Sequence, residues 1–317
     1  MTLAWVLGAR GLLGSAFCRV LSENGATLFA PSENFAWTDP DKLPVQIEAA
    51  VREFSVAAVG SSKWEIYWAA GVGTMASSDE SLEPETLALE KILQLIRTND
   101  RLSGMRGAIA FSSSAGAIYG SCADDVITEA SLPAPNSAYA RAKLRQEGLL
   151  RDFCIANLQV TVLLARISTL YGVGQSAGKQ QGLLAHMARS IIRNKPIGIY
   201  VPIDTIRDYI SADDAAAEIV ETLRELTEPG AVVKIVASGR PVTIAEIISI
   251  FKRITRKSPR ITTSASKASS LYLRRVQFRS IIANQQRTPK IRSLAVGIAQ
   301  LFWAERFSHA NPDRRSK

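Results

Sequence analysis

The segment Gly8-Ala9-Arg10-Gly11-Leu12-Leu13-Gly14 stands between an apolar run at 3–7 and an amphipathic stretch at 12–21. A short strand that turns through closely spaced glycines straight into a helix admits few architectures. The first glycine permits the tight turn, the second lets backbone approach a pyrophosphate, and the third lets helix pack closely on strand. The helix then points free N–H groups and the positive end of its dipole at the phosphates. The spacing is GxxGxxG rather than the more familiar GxGxxG, and a packing turn uses glycine triplets too. Its place between a strand and a helix within the first 30 residues points to a dinucleotide site.

The alternation continues along the chain. Strands are expected at 26–30, 64–70, 108–111 and 160–165, and helices at 44–54, 84–97 and 137–157, the second with Pro84 near its first turn. Beyond Tyr171 come a glycine-containing loop at 172–178, a helix at 182–193, a strand at 197–201, a helix after Asp213, a strand at 232–237 and a helix at 243–254. Residues 258–290 are rich in Ser, Thr and Arg and show no readable period. This order predicts an α/β fold: a Rossmann-type doubly wound parallel sheet over 1–170, with a smaller C-terminal α/β substrate-binding region over 171–317 partly interleaved with it.

Composition narrows the function classes. A chain of 317 residues with 47% apolar and 21% charged residues is an ordinary globular protein, not a disordered or fibrous one. The net charge of +9 is unevenly placed: residues 252–317 hold 16 Lys/Arg against 2 Asp/Glu, whereas residues 1–251 hold 22 against 27. The basic tail suits a phosphorylated ligand, anionic lipid or nucleic acid, or is simply a solvated surface. No aromatic-interleaved basic patch supports nucleic acid, because Tyr272 and Phe278 stand alone. Cys18, Cys122 and Cys154 are too scattered for a disulfide framework, and two histidines, His186 and His309, do not make a metal site. The stretch from Leu12 to Cys18 superficially resembles the end of a lipoprotein signal, but no positive segment precedes it and Arg10 interrupts it. No apolar run is long enough to span a membrane, and a reducing, cytoplasmic location is expected.

Cofactor choice is read at two places. The acid that usually ends the second strand, where it binds the ribose hydroxyls of NAD, is replaced by Ala30-Pro31-Ser32, with Glu33 one step later. Its absence admits NADP, and Arg10 inside the turn is placed to reach a 2′-phosphate, or else is a solvated turn residue.

The chemistry is read further along. Tyr139 and Lys143 lie four apart on the predicted long helix, hence on one face. A free phenol is a poor base at neutral pH. A nearby ammonium, with an oxidised nicotinamide, brings the phenolate into working range. The serines of Phe111-Ser112-Ser113-Ser114 end the fourth strand, at the carboxyl edge where open parallel sheets bind ligands, or they are a serine-rich cap.

Together these segments resemble the extended short-chain dehydrogenase/reductases of the NAD-dependent epimerase/dehydratase family, which act on nucleotide sugars. The glycine turn, Trp68-Ala69-Ala70-Gly71, the serine run leading to Ile118-Tyr119-Gly120, Tyr139 with Lys143, Arg166-Ile167-Ser168-Thr169-Leu170-Tyr171-Gly172 and Arg207-Asp208-Tyr209-Ile210-Ser211-Ala212-Asp213-Asp214 match in order. The resemblance implies that Gly8, Gly11, Leu12 and Gly14 meet the cofactor diphosphate, beside Arg10, the cofactor-binding candidate for a 2′-phosphate. It places Ala69, Ala70, Ser112, Ile167, Tyr139 and Lys143 around the nicotinamide ribose. It makes Ser114, or Ser113, the third member of a Ser-Tyr-Lys site, and assigns Ser113, Thr169 and Arg207 to the substrate, with Arg207 on its diphosphate. Asp213 is expected to cap the following helix. No metal is implied. A nucleotide-diphosphate sugar is the implied partner, and a homodimer built around the Tyr139 helix is the implied assembly.

This sequence departs from the family pattern where Thr169 replaces a common Asn and Ser211 a common His. The inert Ala115-Gly116-Ala117 lacks the acidic pair of 4,6-dehydratases and the glutamate of decarboxylases. It also lacks the cysteine of the epimerising reductases that make GDP-fucose; Cys122 lies outside the stretch, and His186 reads as helix-face filler. Two reactions need only Ser, Tyr and Lys: epimerisation of a sugar hydroxyl, and 4-keto reduction with NADPH. Both stay open, with epimerase favoured, as does a non-enzymatic dinucleotide-binding module.

Overall fold

The computed structural model describes residues 1–174, 182–263, 276–282 and 291–311. In chain order the first part forms β1 (Thr2–Leu7), α1 (Leu12–Glu23), β2 (Thr27–Phe29), α2 (Lys42–Ala57), β3 (Lys63–Trp68), α3 (Asp79–Thr98), the short α4 (Asp100–Ser103), β4 (Gly107–Ser114), the single turn α5 (Ala115–Ile118), α6 (Ala138–Ala156), β5 (Val160–Ile167) and β6 (Thr169–Tyr171). The second part forms α7 (Leu183–Ile192), β7 (Ile197–Ile199), β8 (Ile206–Ser211), α8 (Ala212–Glu225), β9 (Gly230–Val236), β10 (Pro241–Thr243), α9 (Ile244–Thr255), β11 (Ile261–Thr263) and α10 (Leu294–Ala310).

Every residue of β5 and all but the first of β1 are buried, as strands covered on both faces must be. They belong to a parallel six-stranded sheet ordered β2-β1-β3-β4-β5-β9. Alternate residues of β1 feed opposite cores. Leu3, Trp5 and Leu7 pack with Phe54, Trp64, Trp68, Ile92 and Phe153 on the side of α2, α3 and α6. Ala4 and Val6 pack with Phe17, Tyr67, Ile219 and Leu223 on the side of α1 and α8. The chain winds from β1 outward to β2, then back across to β3, so the strand order reverses at β1. The carboxyl ends of β1 and β3 therefore flank the crevice where such sheets take ligands.

Residues beyond 171 contribute to both parts of the molecule. The sixth strand is β9, and α8 covers α1. The remaining elements enclose a core of their own, with Tyr171, Met187, Ile199, Tyr209, Ile247, Phe251, Ile298 and Phe302 among its members. Three-residue β6 and β10 flank β8, and β7 pairs with β11.

Several expectations are corrected. The fourth strand runs past 111: the serines at 112–114 end it as expected, as its last three residues paired with Ala165, Arg166 and Ile167 of β5. Pro84 lies within α3, which begins earlier, at Asp79, capped by the Ser78 side chain. The cap of α8 is Ser211, whose hydroxyl accepts from Asp214 N, while Asp213 in the first turn pairs with Arg19. The loop expected at 172–178 and the unread stretch 258–290 lie partly outside the described residues. Of the latter, 276–282 docks on the body through an Ile127–Phe278 bridge and the Glu129 carboxylate, which accepts from Ile281 N and Ser280 Oγ.

Candidate active site

The glycine turn has no room for side chains. Gly8 has φ +84°, and a Cβ there would stand 2.7 Å from backbone atoms of Ala69 and Ala70. A Cβ on Gly14 would stand 2.0 Å from Gly8 O. The turn closes with Gly11 N donating to Gly8 O at 2.8 Å. Helix α1 follows with no side-chain cap and no acid in its first turn, leaving its leading N–H groups to an anion. Leu12 reaches across to Gly172, so the turn abuts the end of β6 as well as that of β3. Arg10 is exposed on this rim. At the end of β2, where the sequence lacks an acid, α2 brings one: Glu53 accepts from Ser32 N at 2.9 Å and Ser32 Oγ at 2.6 Å. These bonds hold its carboxyl below the usual range.

Tyr139 and Lys143 occupy successive turns of α6, which Ser137 caps by accepting from Ala140 N. Ser114 at the tip of β4 lies close enough to the Tyr139 phenol to favour its ionised form. Lys143 is buried, its Nζ 4.9 Å from the Phe111 ring centroid and 5.7 Å from that of Tyr139. Burial is the largest influence on both. It raises the phenol well above the ordinary tyrosine range, helped by the Glu85 charge and opposed by Ser114. It lowers the Lys143 ammonium, against the charges of Glu85 and Glu147. Burial thus favours the protonated phenol, and a further positive charge in the pocket would shift it toward the phenolate.

Strand alternation separates the three serines. Ser113 points away from Ser114, into a buried network. Its hydroxyl donates to Glu147 Oε1 at 2.7 Å, the carboxylate also receives Arg166 Nε at 3.0 Å and Nη2 at 2.7 Å, and Arg166 Nη1 donates to Tyr119 Oη at 2.6 Å. The Ser113 hydroxyl is thus engaged by Glu147, while Ser114 is the serine that acts on the Tyr139 phenol. Ser112 shares the Ser114 side of the strand, and its buried hydroxyl has no partner among the described residues. Ile167 is buried beside Ser114 in the sheet.

The substrate-side residues are more spread. Thr169 is exposed on β6 opposite Tyr209, and Arg207 is half-buried on β8 with Nη1 donating to Ile206 O at 2.7 Å. Its neighbour Asp208 is buried and accepts from Ser168 Oγ, Ser238 N and Oγ, and Arg240 N, tying the β5–β6 and β9–β10 connections to β8. His186 is exposed on α7. The sequence did not point to Glu53, Glu85, Glu147 or the pairing of Arg166. Glu147 lies four residues after Lys143 on the same face, and Glu85 sits in the apolar stripe of α3 with Leu82, Leu89 and Ile92; both positions carry a signal.

The glycine cradle, the open N-terminus of α1 and the orphaned Ser112 hydroxyl all fit a bound dinucleotide. Residues 4–235, well over half of the chain, match the family model described as NAD dependent epimerase/dehydratase family. The chain belongs to that family. It is 33% identical over 119 residues to a dTDP-L-rhamnose 4-epimerase of Burkholderia thailandensis, a match covering 37% of this chain and 32% of that protein. It is 30% identical over 140 residues to a dTDP-4-dehydro-6-deoxyglucose reductase of Escherichia coli, covering 44% and 43% respectively. The chain thus spans less than half the length of these curated relatives. Its fold is that of MoeE5, solved in complex with UDP-glucose and NAD: the TM-score is 0.79 at 20% identity, covering 98% of this chain and 100% of that one. Among the described residues, no helix is long and apolar enough to cross a membrane.

Proposed function

We propose that this family member is a nucleotide-sugar epimerase that works at a hydroxyl-bearing carbon through Ser114, Tyr139 and Lys143. The observation that carries this reading is the buried Lys143, its Nζ 5.7 Å from the Tyr139 ring centroid, with Ser114 acting on the same phenol beside a glycine cradle that has no room for side chains. A bound dinucleotide supplies the hydride acceptor and, when oxidised, the positive charge that the phenol needs. Tyr139 Oη then takes the proton of the sugar hydroxyl, and Ser114 orients that hydroxyl against it. Lys143 holds its charge beneath the phenol ring. After the keto sugar turns over in the pocket, the hydride would return to the other face of the same carbon and Tyr139 returns the proton to its oxygen, so that no net oxidation remains.

Gly8, Gly11, Leu12 and Gly14 hold the diphosphate, Ala69, Ala70, Ser112 and Ile167 line the nicotinamide end, and Arg207 and Thr169 serve the sugar nucleotide. Glu53 at the end of β2 favours NAD, since a carboxylate there repels a 2′-phosphate. One observation favours the alternative, a 4-keto reductase using NADPH: Arg10 stands exposed in the turn with no described partner. Dehydration has no support, because the residues after Ser114 are Ala115, Gly116 and Ala117.

Release and identification of the dinucleotide that copurifies with the protein, followed by titration with NAD+ and NADPH, separates the two. An epimerase must keep its hydride between half-reactions, so tightly held NAD+ is the expected result. An empty site that prefers NADPH would overturn the epimerase in favour of the reductase, and binding of neither would overturn both.

A further inference from the structure

Glu85 is a carboxylate in the wall of this site to which the chemistry above gives no task. It lies on the buried face of α3 and is only 8% exposed. Its Oε1 accepts from Val72 N at 2.5 Å and from Gly73 N at 2.8 Å. Its Oε2 stands 3.0 Å from where a Cβ on Gly71 would be, and Gly71 has φ +146°, so glycine alone suits that contact. Gly73 carries the link onward: a Cβ there would lie 3.2 Å from Tyr139 Cδ2. The loop that Glu85 grips is the surface on which the Tyr139 ring rests.

The charges around Lys143 distinguish Glu85 from its neighbours. The ammonium lies over the Tyr139 ring of α6 and the Phe111 ring of β4, and the charges of Glu147 on α6 and Glu85 on α3 both favour it. Glu147 is engaged twice by Arg166 and once by Ser113, so much of its field is cancelled at source. Glu85 has two backbone N–H partners and no cation bonded to it among the described residues. Its charge acts on both Tyr139 and Lys143.

We infer that Glu85 is a positioning residue of the Tyr139–Lys143 pair: it clamps the loop at 71–73 beneath the Tyr139 ring and supplies the negative charge that faces Lys143. The inference rests on Tyr139 and Lys143 being the proton-handling pair. It explains why a helix would keep a carboxylate in an apolar stripe, a placement that is costly unless the charge is used and bonded.

Two variants separate the two tasks. Glu85→Gln keeps an oxygen for the Val72 and Gly73 amides but removes the charge; Glu85→Ala removes both. The protein is labelled with ε-carbon-13 lysine, and Lys143 is assigned through a Lys143→Arg variant. Its NMR titration midpoint is expected to fall by about one pH unit in the Gln variant, because an anion that favours the ammonium is gone. Hydrogen exchange at Val72 and Gly73 is expected to stay slow in the Gln variant and to quicken by about tenfold or more in the Ala variant. An unmoved Lys143 midpoint in the folded Gln variant would overturn the electrostatic role. Unchanged exchange in the Ala variant would overturn the clamp. If the Ala variant does not fold, the Gln titration alone decides. Neither readout needs turnover, so normal turnover by Tyr139→Phe would overturn the proposed chemistry while leaving these results to stand or fall separately.

Discussion

Single atoms decide most of this site. Gly14 tolerates no β-carbon because Gly8 O already occupies that position, 2.0 Å away. Gly14→Ala is therefore expected to lose about 1–3 kcal/mol of stability through overpacking, and to weaken dinucleotide binding at least tenfold, about 1.4 kcal/mol. Thermal unfolding and quenching of tryptophan fluorescence by dinucleotide measure the two; an unaltered protein would show that the turn yields freely. The glycines of the first turn, and Tyr139 with Lys143, were legible as candidates because each set keeps a fixed spacing within one short segment of chain. Glu53 and Ser32, 21 residues apart, were not: their bond exists only because α2 folds back alongside the end of β2. The choice between Ser113 and Ser114 was open for a different reason. Spacing along the chain does not reveal strand phase: β4 extends through Ser114, and the hydroxyl that bonds to Glu147 of α6 is that of Ser113.

Among the elements, those with clear periods were read correctly: β1, α1, α2, β3, α6 and β5 differ from expectation by a few residues at their ends. The three-residue strands β6, β10 and β11 are too short for a two-residue period to show. Helix α10 was missed because it is apolar on both sides. Ile298, Leu301 and Phe302 are buried, whereas Val296, Trp303 and Phe307 are exposed, so no amphipathic stripe appears. One element pair has a pH signature. Glu218 on α8 is buried with Lys234 of β9 3.6 Å away, and burial pushes its carboxyl up to about 7 despite that ammonium. A carboxyl raised on folding stabilises the fold fully below its unfolded pKa of about 4.5, and that contribution disappears as pH rises through about 7. Wild type should therefore lose stability, of the order of 1–3 kcal/mol, between pH 5 and pH 8 from this group. Urea unfolding at the two pH values checks this. Glu218→Gln should flatten the difference, and an equally steep difference in that variant would contradict the assignment.

At the scale of the whole molecule, the six parallel strands converge their carboxyl ends on one crevice. Three parts distant in sequence meet there: the glycine turn, the Ala69–Ala70 backbone and the tip of β4 with α6. The second, smaller core brings β8 and its Arg207 to the outer wall. The doubly wound sheet was legible because strand and helix alternate with clean burial. The path of the basic C-terminal stretch was not, since a segment such as 276–282 is fixed by bonds to distant Glu129 and Ile127 rather than by a pattern of its own.

The central claim is that Tyr139 carries the proton in a hydride exchange that leaves no net oxidation. The most direct measurement follows UDP- and dTDP-hexoses deuterated at the carbon bearing the C4 hydroxyl, with wild type and with Tyr139→Phe. Wild type is predicted to invert that carbon, retain the deuterium on it and accumulate no reduced dinucleotide. Tyr139→Phe is predicted to keep its dinucleotide and slow the reaction by about a hundredfold or more. Inversion at an undiminished rate by Tyr139→Phe would contradict the account.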